Sequence, residues 1–197
     1  GFATYFKEKY HRSEKDQEIA AIMIQEVDRL NRVVGQLLDF SRPIRLQIQQ
    51  VPLKSFFQDV LALVDRQGRE AGVAMTLKMP DDSLTAAFDT DKMSQVMLNL
   101  LLNALDAMPN GGDLTVRVSD DGDHGIRVQI VDTGPGIDPQ HQPHIFEPYY
   151  STKKGGTGLG LAIVYNIIKA HRGGIRVESR IGAGTTVQLA LPAASEG

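Results

Sequence analysis

Four polar or glycine-rich islands constrain this 197-residue sequence more than anything else in it. Asn99 and Asn103 lie one helical turn apart; DTGPGI follows at 132–137, GGTGLGLAI at 155–163 and GAGTT at 182–186. Each adjoins a strand or helix pattern, so the fold must gather strand ends and helix starts around one place. One island alone is weak evidence. Four in this order describe a pocket for a nucleotide and its metal.

The rest of the composition narrows the field. A hydrophobic content of 42% can supply a core for one or two domains. Acids and bases are interspersed and the net charge is −3, which gives no electrostatic footprint for nucleic acid or an anionic membrane. There is no cysteine, so disulfides and thiolate metal sites are excluded. No apolar run reaches the roughly 18–20 residues that span a bilayer, and no signal peptide is visible. Gly1 already lies in a helical pattern, from which a piece of a longer protein is expected.

The first forty-odd residues have a character of their own. From Ser13 to Phe40 there is no proline and only Gly35, and Ile19, Met23, Val27, Leu30, Val34 and Leu37 recur at helical spacing. Ser13 with Asp16 gives an N-terminal cap signal, and Phe2–Tyr10 reads as the end of an earlier helix that turns at His11 and Arg12. Two antiparallel helices cannot hide such a seam alone. A homodimeric four-helix bundle is the favoured solution, the alternative being a hairpin packed on its own C-terminal domain.

Arg42-Pro43 ends the long helix, and the period then changes. Leu46 and Ile48 alternate as in a strand, while Phe56, Phe57, Val60, Leu61 and Val64 form a helical face. Strands are expected at 73–79, 84–88, 114–118, 126–131, 175–179 and 186–191, and helices at 91–108 and 159–171. A loop-like stretch covers 134–156, with Pro148-Tyr149-Tyr150 at its base read as packing, with contact to the partner domain as a further option. Strands and helices mixed in this way predict a layered α/β sandwich with helices on one sheet face.

Each island has its own chemistry. Asn99 and Asn103 project from one side of their helix, with Gln95 a turn earlier. Magnesium takes hard oxygen ligands, usually one or two from protein and the rest from phosphates and water. An isolated pair would more often be buried, satisfied asparagines. Asp132 can accept a hydrogen bond from an exocyclic amine, which separates adenine from guanine, and its glycines allow close approach to a flat base. Alone, DTGPG is more often an ordinary turn. Gly155, Gly156, Gly158 and Gly160 lead into a helix whose first N–H groups can face phosphate oxygens, with Lys153 and Lys154 adding charge. A hinge reading is compatible, since an ATP lid must move. Gly182, Gly184 and Thr185 form a tight turn from which Thr185 could reach the adenine edge.

Taken together, QVMLNLLLNALDAM (95–108), DTGPGI, IFEPYYSTK (145–153), GTGLGLAIV (156–164) and GAGTTVQLALP (182–192) resemble the catalytic region of sensor histidine kinases. The resemblance covers almost the whole chain. Its fold is the GHKL (Bergerat) ATP-binding fold shared with gyrase, Hsp90 and MutL. GFATYFKE and IQEVDRLNRVVGQLLDFSRP are most similar to the NtrB/ZraS-like branch, which holds nitrogen sensors and zinc-responsive kinases. The resemblance implies an α+β chain. A partial helical hairpin over 1–43, half of a dimeric four-helix bundle, precedes a catalytic ATP-binding α/β sandwich over 44–197.

The cofactors implied are ATP and Mg2+. Asn103 would be the magnesium ligand, with Asn99 near the phosphates and Lys153 close by; these three form the implied catalytic set. Asp132 would bind the adenine amine, and Gly134, Gly136 and Ile137 would shape the base pocket. Gly156, Thr157, Gly158, Leu159, Gly160 and Leu161 would line the triphosphate, and Thr185 is a further carry-over. In the related ATPases a glutamate stands where Asn99 stands here and activates water. An amide cannot be that base, which points to phosphoryl transfer rather than hydrolysis.

The family's nucleophile is a histidine in a His-Glu-x-x-Asn-Pro setting, which none of His11, His124, His141, His144 and His171 has. The acceptor is therefore expected upstream of Gly1. The family further implies a homodimer through the hairpin and a response regulator of the NtrC type, with no nucleic-acid partner. It implies a cytoplasmic region of a bacterial sensor anchored in the inner membrane through regions absent from this chain. A hydrolysing ATPase of the same fold and a non-catalytic nucleotide-binding or dimerisation module are the alternatives.

Overall fold

The computed structural model of the chain describes residues 44–193, apart from 123–124 and 154–155, together with positions 19, 22–24 and 27. The chain divides into two compact units, Gly1–Arg42 and Pro43–Gly197. In the first unit the described positions are helical, and Ile19, Ile22, Met23 and Val27 are all exposed. The expected cap at Ser13, the turn at His11 and the seam positions Leu30, Val34 and Leu37 lie outside the described residues.

In the second unit, β1 (Gln49–Pro52) leads directly into α1 (Leu53–Glu70), followed by β2 (Val73–Lys78) and β3 (Thr85–Phe88). Next come α2 (Thr90–Ala107), β4 (Gly112–Asp120) and β5 (Ile126–Asp132). A long loop with one 3-10 turn at Gln142–His144 leads to α3 (Gly160–Ala170), β6 (Gly174–Arg180) and β7 (Gly184–Leu191). The main sheet has the order β2-β4-β5-β7-β6, parallel only between β2 and β4. Parallel neighbours need a crossover, and α2 supplies it, which lays the asparagine helix across the sheet.

The sheet is two-faced. Along β5, Ile126, Val128, Ile130 and Asp132 are buried while the residues between them are half-buried, the alternation expected of a strand covered on one side. Onto that face α1 packs Phe56, Phe57, Val60 and Val64, α2 packs Val96, Met97, Leu100 and Leu101, and α3 packs Ile163, Val164, Ile167 and Ile168. Each such side chain contributes about 1.5–3 kcal/mol on burial. Phe56 meets Phe57 and Phe88 edge to face, with centroids 5.2 and 5.0 Å apart. The opposite face carries Lys78, Arg117, Gln129, Gln188 and Arg176 in one cross-strand row. This is the layered α/β sandwich expected.

Two local expectations change. The alternation at Leu46 and Ile48 is not a strand; the ladder starts at Gln49, because its partner β3 has only four residues and ends opposite it at Phe88. The strand expected at 114–118 runs from Gly112 to Asp120, because neighbours on both sides supply its hydrogen bonds.

Candidate nucleotide site

The islands meet where β5 ends. Asp132 lies on the helix-facing side of the sheet and is buried. Its Oδ1 accepts the Gly134 N–H at 2.9 Å and the Thr185 N–H at 3.2 Å, so the turn after β5 and the start of β7 share one oxygen. Its other oxygen, Oδ2, takes no part in either bond. Burial pushes this carboxyl above the ordinary aspartate value, against the opposing pull of those two N–H groups and of Lys153.

The loop after Asp132 is pinned by its backbone. Gly182 N donates to Pro135 O at 2.8 Å, and Ile137 N donates to Ser179 Oγ at 2.8 Å. Gly136 has φ 77, and a Cβ there would lie 2.2 Å from Arg180 O, so only glycine fits. Gly134 is tight for another reason: its Cβ would lie 2.9 Å from Asp132 Oδ1. Thr133 ties the same turn to β4, accepting from Asp113 N at 2.9 Å.

Asn99 and Asn103 are half-buried, as Gln95 is, so the stripe is not in the apolar core that holds Leu100 and Leu101. Asn99 borders the start of α3: a Cβ on Gly160 would sit 3.4 Å from its Oδ1. No side chain caps that helix at Leu159. The Leu159 N–H itself donates to Thr157 Oγ1 at 3.4 Å, and a helix start beside the asparagine stripe is an arrangement that suits an anion. Lys153 bridges from the loop, with Nζ 3.2 Å from Asp106 Oδ2 and 3.4 Å from Asn103 O.

The remaining expected site residues sort by exposure. Gly156 is exposed, Thr157, Gly158, Gly160 and Leu161 are half-buried, and the Leu159 side chain is buried at 1%. Leu159 therefore belongs to the core and offers a ligand only its backbone. Thr185 lies directly opposite Asp132 in the β5–β7 ladder. Lys154 and Gly155 lie outside the described residues.

At the base of the loop, Tyr149 N donates to Gly158 O at 3.0 Å, and both residues have positive φ, 66 and 67. Within this unit Tyr149 does not pack. It is 65% exposed. Tyr150 does pack, with its OH 2.7 Å from His141 Nδ1 and its ring against His144.

A family model described as the histidine kinase-, DNA gyrase B- and HSP90-like ATPase matches residues 88–195. The chain belongs to this family. It is 38% identical over 192 residues to the sensor histidine kinase ZraS of Escherichia coli strain K12, covering 98% of this chain and 41% of that protein. The chain thus spans about two fifths of the length of that relative. Among solved structures, full-length ShkA in complex with AMPPNP superimposes with a TM-score of 0.84 at 24% identity, over 98% of this chain and 42% of that one. Histidine kinase ThkA in complex with the response regulator protein TrrA gives 0.79 at 25% identity, over 98% and 56%.

Within this ATPase fold, four residues of the site's framework escaped the sequence reading. Ser179 and Gln142 clamp the loop: Gln142 Nε2 donates to Ile137 O at 2.9 Å and to Ser179 O at 3.0 Å. Asp89 and His171 join the helices. The Asp89 N–H donates to His171 Nε2 at 3.1 Å, while His171 Nδ1 lies 2.8 Å from Ile167 O. A carbonyl can only accept, so Nδ1 carries the proton and the ring is neutral. The signal for Ser179 was present in the sequence: in β6 it falls on the face of Ile175 and Val177, a polar residue where the alternation calls for an apolar one.

Proposed function

We propose that this chain is the ATP-binding catalytic region, with part of the dimerisation hairpin, of a two-component sensor histidine kinase. The observation that carries the proposal is Asp132: a buried carboxylate with one oxygen held by two backbone N–H groups and the other open to a ligand's amine. The similarity to ZraS, a sensor histidine kinase, supports the reaction class, the AMPPNP complex of ShkA an adenine nucleotide, and the ThkA–TrrA complex a response regulator as partner.

In this reading the adenine amine donates to Asp132 Oδ2, and Gly134, Gly136 and Ile137 form the wall of the base pocket. The triphosphate lies toward the start of α3, near Gly156, Thr157, Gly158, Gly160 and Leu161, with Lys153 released from Asp106 to reach it. The residues fit magnesium: two amide oxygens a helical turn apart, Asn103 as ligand and Asn99 beside it, leave the other positions to phosphate and water. When bound, the ion neutralises charge on the phosphates. Asn99 has no basic lone pair at neutral pH with which to activate water. The γ-phosphoryl therefore goes to a histidine nucleophile, then to a response-regulator aspartate of the NtrC type. His171 cannot be that acceptor, since both ring nitrogens are hydrogen-bonded and the ring is buried.

The hairpin (1–43) would pair with a second copy, and Ile19, Met23 and Val27 are exposed apolar positions suited to that. Among the described residues no helix is long and apolar enough to cross a membrane. A cytoplasmic position beneath an inner-membrane anchor is part of the same proposal.

The test uses γ-labelled ATP–Mg with this chain, alone and mixed with an upstream-extended partner whose own ATP site is disabled. Acid-labile, base-stable label on the extended partner is the expected result, lost with Asn103→Ala. Free phosphate without labelled protein would favour a hydrolysing ATPase instead.

A further inference from the structure

The helix-facing side of the sheet is apolar until its last row. Register sets Met75, Leu114, Asp132, Thr185 and Ser179 side by side across β2, β4, β5, β7 and β6. One row further in are Leu77, Val116, Ile130, Val187 and Val177, all apolar. Three contiguous polar side chains at the end of such a face need mutual partners or a ligand.

Their hydrogens can be assigned. Ser179 Oγ lies 3.0 Å from Gly184 O, which can only accept, so the single serine proton goes there. The Ile137 N–H donates into a serine lone pair at 2.8 Å. The remaining bond, 2.9 Å to Thr185 Oγ1, must then be donated by Thr185. The threonine proton is committed to Ser179, and only lone pairs are left for the side that faces Asp132. An ionised Asp132 likewise only accepts.

We propose that Ser179 is a specificity-determining, positioning residue for the base. By holding the Thr185 proton it leaves an acceptor-only edge beside Asp132, which fits the exocyclic amine of adenine and rejects the carbonyl that guanine carries in its place. This rests on the nucleotide reading of Asp132 given above. Ser179 acts through Thr185, with no contact of its own to the base. A carbonyl facing fixed acceptors loses its hydrogen bonds to water and finds none in return, a mismatch that discriminates strongly.

The experiment is calorimetric titration of the full 197-residue chain with ATP–Mg and GTP–Mg. Ser179→Ala frees the Thr185 hydroxyl to turn and donate to the guanine carbonyl, so the preference for ATP narrows about tenfold, the worth of one such bond. Ser179→Thr keeps a hydroxyl in place and keeps the wild-type preference. Adding Thr185→Val to Ser179→Ala removes the freed donor and widens the preference again, short of wild type because the Thr185 acceptor is lost with it. A Ser179→Ala that merely loosened the 135–137 turn would weaken both nucleotides alike. An unchanged ratio overturns the proposal, as does a narrowed ratio that Thr185→Val does not widen. Wild-type chain without any preference for ATP would overturn the nucleotide reading itself, and that is seen before any substitution is made.

Discussion

Asp132 is held in place by the same burial that makes its charge unfavourable. With its carboxyl raised above 3.8 in the folded chain, the folded state holds more protons than the unfolded one between those two values. Its contribution to stability is thus greatest in acid and falls as pH rises through that window. Asp132→Asn keeps an acceptor for Gly134 and Thr185 and removes the buried charge. The variant should melt at the same temperature as wild type or higher at pH 7, with a flatter stability profile on the acid side. Its amide also turns a donor toward the adenine amine, so ATP affinity should fall at least about tenfold. Calorimetry at matched pH reads both, and undiminished ATP binding would remove Asp132 from the base site.

Among the elements, α2 bears most of the site and is fixed at its first turn. Asp89 Oδ1 accepts from Lys92 N at 3.0 Å, the bond of an N-cap, and Oδ2 accepts from Gln47 N at 2.7 Å. Its own N–H reaches His171 at the end of α3, so one residue ties together the two helices that carry Asn99 and Gly160. Asp89→Ala should cost about 1–3 kcal/mol, read as a lower urea midpoint with an unchanged slope. Burial alone would raise this carboxyl, yet the Gln47 and Lys92 N–H groups bring it below the ordinary value. The stability it provides is therefore present above 3.8 and lost as pH falls through the lowered value. The alanine variant should lack that acid-limb slope. Helices α2 and α3 were legible within a residue or two, because their apolar spacing runs for many turns. The β1–β3 pairing was not, since four-residue strands more than thirty positions apart carry no local signal of partnership.

For the whole molecule, the proposed dimer is the open quantity that a single experiment settles. Light scattering should give twice the chain mass. Val27→Glu, which places a charge on an exposed apolar helical position, should shift the population toward monomer. A monomeric wild type would instead favour a hairpin that closes on its own domain.

The sequence by itself determined the family, the order of the islands and the residue types at the candidate site. Those follow from local rules: glycine where φ must be positive, amides a turn apart, a carboxylate at a strand end. Only the tertiary structure decided who holds whom. That Ser179 takes the Thr185 proton, that Gln142 clamps Ile137, and that Asp89 finds His171 are pairings between residues 5 to 82 positions apart. Hydrogen-bond assignment depends on which groups register and packing bring within about 3 Å, and no spacing along the chain encodes that distance.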